Sequence, residues 1–402
     1  MRTPLGDLPR SVAPCDVHVA GRVVAQRAGT FLLRDESGIA RLALAQEREA
    51  MPELLHALVV AQGQWDGAEV VVGSYEVVGR ARIEPRELTE LARHDNLKQS
   101  RLFARARVLR TVRGFFEARG FLEVDTPIAV PSPGLDLHLD APRVETPGDT
   151  LYLATSPEYQ MKRLLAGGLE RIFQITKCFR NDEVGARHQP EFTMLEWYRG
   201  FSDVEAMMRD TEALVAEVAR AIDGSTVLQT ARGPIDVAPP WPRITVREAF
   251  ARFAKVDVRE LVDDEARFYA VLVNEVEPAI EELSGALFLC EYPARMASLA
   301  RTKPGDPSVA ERFEAYVAGV ELCNGFGELT DPDEQRARLE ADQAERAERG
   351  LPVYPLDERF LRALEEGMPP SGGNALGLDR LVMLALGAAH IEDVIAVPRS
   401  RL

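Results

Sequence analysis

The segment FRNDEVGARHQPEFTMLEWY, residues 179–198, limits what this chain can fold into more than any other stretch. It packs Arg180, Arg187, His188, Glu191 and Glu196 into a β-rich frame in which Phe192 and Met194 alternate with them. Successive side chains on a strand point to opposite faces, so alternation of this kind lines up charged groups on one face of a sheet. A solvated edge strand also alternates. Here, however, Arg and His stand beside two carboxylates with an aromatic between them, the mixture that a nucleotide with an adjacent cationic substrate needs.

Two further segments carry chemistry-bearing residues. In ERFEAYVAGVELCNGFGELTD, residues 311–331, Glu314, Glu321 and Glu328 recur at intervals of seven. On a helix that spacing is an exposed charge stripe, but the Asn324-Gly325-Phe326-Gly327 break speaks against a continuous helix. Glu314 and Glu321 can then serve Mg²⁺, a hard ion bound by one or two carboxylates together with phosphate oxygens. In GGNALGLDRLVMLALG, residues 372–387, Gly372 and Gly377 have P-loop spacing, yet Leu378 stands where a P-loop needs Lys. A glycine-rich strand still lets a ligand approach the backbone, and Arg380 offers a planar guanidinium to a base or phosphate.

Around these segments the texture changes once. Residues 16–82 hold five short β-rich runs punctuated by Gly29, Gly38, Gly63, Gly67 and Gly73, with a helical patch expected over Glu47 to Leu58. Five strands with one short helix suit an OB-type barrel, and a generic sandwich fits the same pattern. From Asn96 onward an amphipathic helix is expected over 99–119, ending at Gly120, followed by a strand in FLEVDTP. Strand and loop segments alternate to about residue 200. Ser202 and Glu205 form a capping-box signature for a long helix that stops at Gly224. A turn or hairpin over 225–242, helices over 246–254 and 264–282, strands near 286–292 and 315–329, and a charged helix over 332–349 follow. Gly372 to Arg380 reads as a strand or turn feeding the helix Leu381 to Leu386. The expected division is a barrel over 1–85, a linker over 86–98 and a catalytic domain over 99–402.

Composition excludes little but does so clearly. A formal net charge of −16 speaks against a surface that grips nucleic acid everywhere, though not against a local basic patch. The four cysteines form no C-x-x-C pair, which fits a reducing, cytoplasmic setting. No apolar run reaches the roughly 18 residues of a membrane span, and no secretory h-region opens the chain.

Together the three segments resemble the motif 1, 2 and 3 regions of class II aminoacyl-tRNA synthetases of the lysine kind. GFLEVDTP (120–127) resembles motif 1, the FR…E segment motif 2, and GLDR (377–380) motif 3, in one register over residues 99–402. The resemblance implies an α+β fold, an antiparallel sheet flanked by helices, behind the small all-β OB-like barrel. It implies that Arg180 contacts the α-phosphate and the substrate carboxylate, and that Phe192 and Arg380 sandwich the adenine. By the same resemblance His188 meets the phosphates, Asp182 lies near the adenine edge, and Glu314 and Glu321 hold Mg²⁺. Glu158 is expected to bind the substrate amino group, and Glu196, Tyr198, Asn324 and Glu328 to line a pocket for an ε-ammonium. Family members usually carry Glu where this chain has Asp182. ATP, Mg²⁺ and a homodimer built on the motif 1 helix are further expectations.

Within the lysine group two branches resemble the chain. One charges tRNA. The other, the elongation factor P lysyltransferase family, attaches β-lysine to a lysine of that factor. TSPEYQMKRLL (155–165) has Ser156 where tRNA-charging enzymes usually have Ala, and Ala375 stands where they usually have Gly. Trp197 and the run ERGLPVYPLDERFLRALEEGMP (348–369) also resemble the second branch. A methyl at Ala375 on the pocket floor would displace an α-amino group and suit a β-amino acid. The barrel argues for the tRNA branch, yet residues 1–85 hold nine Lys and Arg against eleven Asp and Glu, with Phe31, Trp65 and Tyr75 as their aromatics. Lysine or β-lysine with elongation factor P as acceptor is the first expectation and tRNA charging the second. A non-catalytic paralogue is disfavoured because Arg180, Glu314, Glu321 and Arg380 are all present.

Overall fold

The computed structural model describes the chain apart from residues 1, 11, 28, 46–52, 82–95, 182, 284 and 298. It forms two compact units, Met1–Ser100 and Arg101–Leu402. In the first, strands β1 (Cys15–Arg27), β2 (Thr30–Arg34), β3 (Ile39–Leu44), β4 (Leu58–Trp65) and β5 (Val70–Gly79) close into a barrel in the order β1-β2-β3-β5-β4. The long β1 pairs with both β2 and β4, and a register shift between Val23 and Ala25 accommodates the bend. Inward-facing Val17, Val19, Phe31, Leu33, Leu42, Val59, Trp65 and Val72 fill the core. Most of the expected helical patch at Glu47 to Leu58 falls on undescribed residues. Its described end, through Leu55 and His56, is a turn rather than a helix.

The second unit is built on an eight-stranded sheet. Its strands are β6 (Leu122–Glu123), β7 (Arg171–Phe179), β8 (Glu191–Gly200), β9 (Arg243–Thr245), β10 (Ala286–Cys290), β11 (Arg312–Val317), β12 (Val320–Gly327) and β13 (Ser371–Gly377). They lie in the order β9-β10-β11-β12-β13-β8-β7-β6, antiparallel except at the two ends. Helix α1 (Asn96–Glu117), α3 (Val204–Asp223) and α6 (Leu378–Ala385) cover one face. There Phe116, Phe173, Leu195, Trp197, Leu214, Phe313, Leu376 and Leu381 make one apolar core. The other face carries α2 (Glu158–Ala166), α4 (Pro332–Glu348) and α5 (Glu358–Gly367), with Met161, Leu165, Leu339, Phe360 and Leu364 in a second cluster. Among the described residues no helix is long and apolar enough to cross a membrane.

Several local expectations shift. The cap of α3 is Asp203, whose carboxylate accepts from Ala206 N at 2.8 Å, one residue beyond the expected Ser202. A carboxylate there also meets the positive end of the helix dipole, which a Ser does not. Gly224 ends α3 in the left-handed region as expected, φ 77°. The single strand expected at 315–329 is two, because Ala318 and Gly319 both take positive φ and close a hairpin. Helix α6 begins at Leu378, so Arg380 sits in its first turn rather than on the strand. Helices α2 and α5 fall in stretches where no helix was expected.

Candidate active site

Strand register assembles the site. Cross-strand partners in antiparallel pairs point to the same side of a sheet. Glu196 of β8 lies opposite Gln174 of β7 and Ala375 of β13. Ala375 lies opposite Asn324 of β12, and Asn324 opposite Glu314 of β11. One row thus crosses five strands. The adjoining row contains Tyr198, Gly373, Phe326 and Arg312. Phe192, two steps from Met194 along β8, shares this face, and Glu321 pairs with Tyr316 beyond a register shift. Three segments that are far apart in sequence therefore present their polar residues to one cavity of about 1050 Å³. Its wall includes Ser156, Glu158, Arg180, His188, Phe192, Glu314, Glu321, Asn324, Ala375 and Arg380. Asp182 lies outside the described residues.

At one end of the cavity the basic groups are tied together. Arg380 donates to the Glu321 carbonyl at 2.8 Å and stands 3.3 Å from its carboxylate. Its other amino group meets His188 Nε2 at 2.6 Å. Arginine only donates, so that nitrogen accepts and the proton of a neutral ring sits on Nδ1. Partial burial, then the Arg380 charge, hold His188 below the usual histidine range, which keeps it neutral. Arg180 places its guanidinium carbon 5.1 Å from the Phe192 ring centre. Cation and aromatic face thus lie together where a nucleotide base and phosphate would need them.

Glu314 is buried, with Arg312 donating to one oxygen at 2.8 Å and Tyr316 to the other at 2.8 Å. Glu321 faces the cavity with its side chain 41% exposed. Glu277, which sequence reasoning missed, has a carboxyl oxygen 3.2 Å from the Tyr316 hydroxyl. Burial, then Glu314 and Glu321, push its carboxyl up to about 7. Glu314 and Glu321 are hard oxygen donors of the kind that serve a divalent cation together with phosphate oxygens. Among the described residues no three acids or imidazoles converge closely enough to hold a metal alone.

At the other end the expected substrate pocket is more enclosed than the sequence implies. Glu196, Tyr198 and Glu328 lie behind the cavity wall, 0%, 3% and 1% exposed. Glu196 accepts from Ser156 Oγ at 2.5 Å and from Tyr198 at 3.0 Å. Ser156 Oγ also accepts from the Glu158 amide at 3.0 Å at the start of α2. Burial, with Glu158 adding to it, pushes the Glu196 carboxyl up to about 8 against those two donors. Lys162, fully buried on α2, stands 2.5 Å from both Glu158 Oε1 and Glu328 Oε2. Sequence reasoning missed it, since a lysine in a Lys-Arg pair reads as surface. It also missed Asp379, which accepts from Thr193 N at 2.7 Å and pairs with Arg105 of α1 at 2.6 Å. That contact ties the GLDR turn to β8 and to the first long helix.

A family model described as tRNA synthetases class II (D, K and N) matches residues 84–401. A Proteus mirabilis protein named elongation factor P–(R)-β-lysine ligase is 44% identical over 310 residues, 74% of this chain and 94% of that protein. A protein of the same name from Edwardsiella ictaluri is 45% identical over 306 residues, 73% of this chain and 94% of that one. A lysine–tRNA ligase from Moorella thermoacetica is 40% identical over 320 residues, 74% of this chain, and the match spans 64% of its length.

Proposed function

We infer the activity from one premise: the chain belongs to the class II tRNA synthetases of the D, K and N type. We propose that it activates (R)-β-lysine or lysine with ATP as an aminoacyl-adenylate and transfers the aminoacyl group to a lysine of elongation factor P. The observation that carries the reading is the row Glu196–Ala375–Asn324 beside Ser156. Ser156 supplies the 2.5 Å hydrogen bond to Glu196, which an alanine could not. Ala375 puts a methyl between Glu196 and Asn324, where a glycine would leave room for an α-amino group. Relatives aligned over 94% of their own length carry the elongation factor P ligase name, which supports the acceptor.

The residues present suit the activation step. The substrate carboxylate attacks the α-phosphorus of ATP and pyrophosphate departs in line. Arg180 neutralises charge that develops on the α-phosphate, and Arg380, held by Glu321 and His188, stacks on the base. Positioning and electrostatics dominate such a step because no covalent enzyme intermediate is required. Glu314 and Glu321 would hold Mg²⁺, which when bound supplies charge neutralisation on the phosphates. In the second step the acceptor amine attacks the acyl carbonyl, the amide forms and AMP leaves. A homodimer through α1 and β6 completes the proposal, supported by Phe103 at 54% and Leu122 at 52% exposure. The cytoplasm is the proposed setting.

A tRNA-charging activity is the second reading, favoured by the closed barrel ahead of the catalytic unit. Against it, Phe31 and Trp65 are spent on the barrel core, 1% and 6% exposed, rather than offered for base stacking. Pyrophosphate exchange with each amino acid tests the substrate. Exchange supported by β-lysine is expected, and strong exchange with α-lysine alone would overturn the β-lysine assignment.

A further inference from the structure

Three carboxyl groups, Glu158, Glu196 and Glu328, gather at the amino-acid end of the cavity, and among the described residues one cation, Lys162, stands in contact with them. Lys162 is 0% exposed and touches two of the three. Burial alone would lower its pKa, yet Glu158 and Glu328 together hold it above the ordinary lysine range, so it stays charged. The groups that face this cluster come from every side. Tyr159 of α2 and Phe360 of α5 stack at 4.6 Å beside it, and the Phe360 ring centre lies 6.0 Å from the ammonium. Tyr198 and Glu196 face it from β8, and Arg301, paired with Glu311, acts on Glu328 from farther out. Nothing in the adenylation chemistry requires a buried lysine here.

We propose that Lys162 is a positioning residue for the amino-acid subsite: it clamps Glu158 to Glu328 and offsets one carboxylate charge among the three carboxyl groups, so that the other two are left to a substrate carrying two ammonium groups. Buried charge must be balanced, because an uncompensated ion in a dry site is costly. With Lys162 in place, a diamino acid engages both remaining carboxyl groups, Glu196 giving up the proton that burial holds on it, and a monoamino acid engages one of them. The clamp also fixes the distance between the carboxylate at the mouth, Glu158, and the one at depth, Glu328. It thereby sets how far apart the two substrate ammonium groups must be. This assignment rests on the diamino-acid reading of the substrate.

Lys162→Met in the full chain tests it by pyrophosphate exchange. The amino-acid KM is expected to rise on the order of 100-fold, the scale of a buried charge left unpaired. The ATP KM should stay within about twofold and kcat should fall far less than the amino-acid KM rises. Lys162→Ala should recover part of its amino-acid KM with added propylammonium, and not with n-butanol of similar size. An unchanged amino-acid KM, equal rises in both KM values, or equal rescue by the alcohol would each overturn the clamp. If no diamino acid supports exchange in the parent chain, the functional reading falls. The clamp is then judged by melting between about pH 6 and about pH 8. Glu196 already keeps its proton in the folded parent, and without Lys162 a further carboxyl, of Glu158 or Glu328, does the same and loses it on unfolding. The variant's stability should therefore fall more steeply than the parent's as pH rises, and parallel curves would overturn the assignment.

Discussion

Replacing Gly373 by alanine probes how tightly the substrate end of the site is built. An added Cβ would lie 2.1 Å from Glu328 Oε1 and 2.4 and 2.6 Å from two carbons of the Tyr198 ring. The backbone at Gly373 is not in the positive-φ region, so any cost comes from contact rather than from strain. Neither neighbour can step aside freely. Glu328 is 1% exposed and its other oxygen is held by Lys162 at 2.5 Å, while Tyr198 is 3% exposed and donates to Glu196. Overpacking of this kind typically costs about 1–3 kcal/mol. If that cost falls on the pose of Glu328 and Tyr198, the amino-acid KM should rise roughly 5- to 150-fold. Pyrophosphate exchange reads it, with the ATP KM expected to stay within about twofold because Arg180, Phe192 and Arg380 lie at the other end of the cavity. An unchanged amino-acid KM, or equal rises in both values, would refute the placement of Glu328 and Tyr198 at the substrate subsite.

Other residues give further tests. Ala375→Gly should shift preference toward α-lysine in competitive exchange, and unchanged selectivity would remove the methyl from the account. Glu196→Gln should flatten the pH dependence of stability. A carboxyl raised from 4.5 to about 8 in the folded chain makes stability fall as pH rises through that window. The loss amounts to roughly 4–5 kcal/mol at most, and melts at several pH values would show it; parent and variant curves of equal slope would contradict the buried carboxyl. Asp203→Ala should remove the α3 cap at a cost of about 1 kcal/mol, seen as a drop of about 1–2 °C in Tm with substrate KM values unchanged. An unshifted melt would mean that another group caps the helix.

Strand parity makes much of the site legible in the sequence itself. Phe192, Glu196 and Tyr198 share one sheet face because the period of a strand is two, and no tertiary knowledge is needed for that. The barrel is legible for a similar reason, as its five β-rich runs are short and glycine-bounded. What escapes depends on partners far away in sequence. Lys162 reads as a surface residue until Glu328 closes over it. Asp379 reads as part of a motif until Arg105 reaches it from α1. Helix α2 is short and opens on Thr-Ser-Pro, so its start resembles a loop. The Ala318-Gly319 hairpin needs a non-glycine residue at φ 54°, which local propensity disfavours. The cap of α3 moves by one residue because Ser202 and Asp203 are both good caps and only the helix dipole separates them.

One measurement bears most directly on the central claim. Purified elongation factor P and tRNA are placed in a single tube with ATP, Mg²⁺, labelled β-lysine and the full chain, and the label on each acceptor is counted. The account predicts label on the protein, in a bond stable to mild alkali as an amide is, and little on the tRNA. Label confined to the tRNA, in an alkali-labile ester, would contradict it.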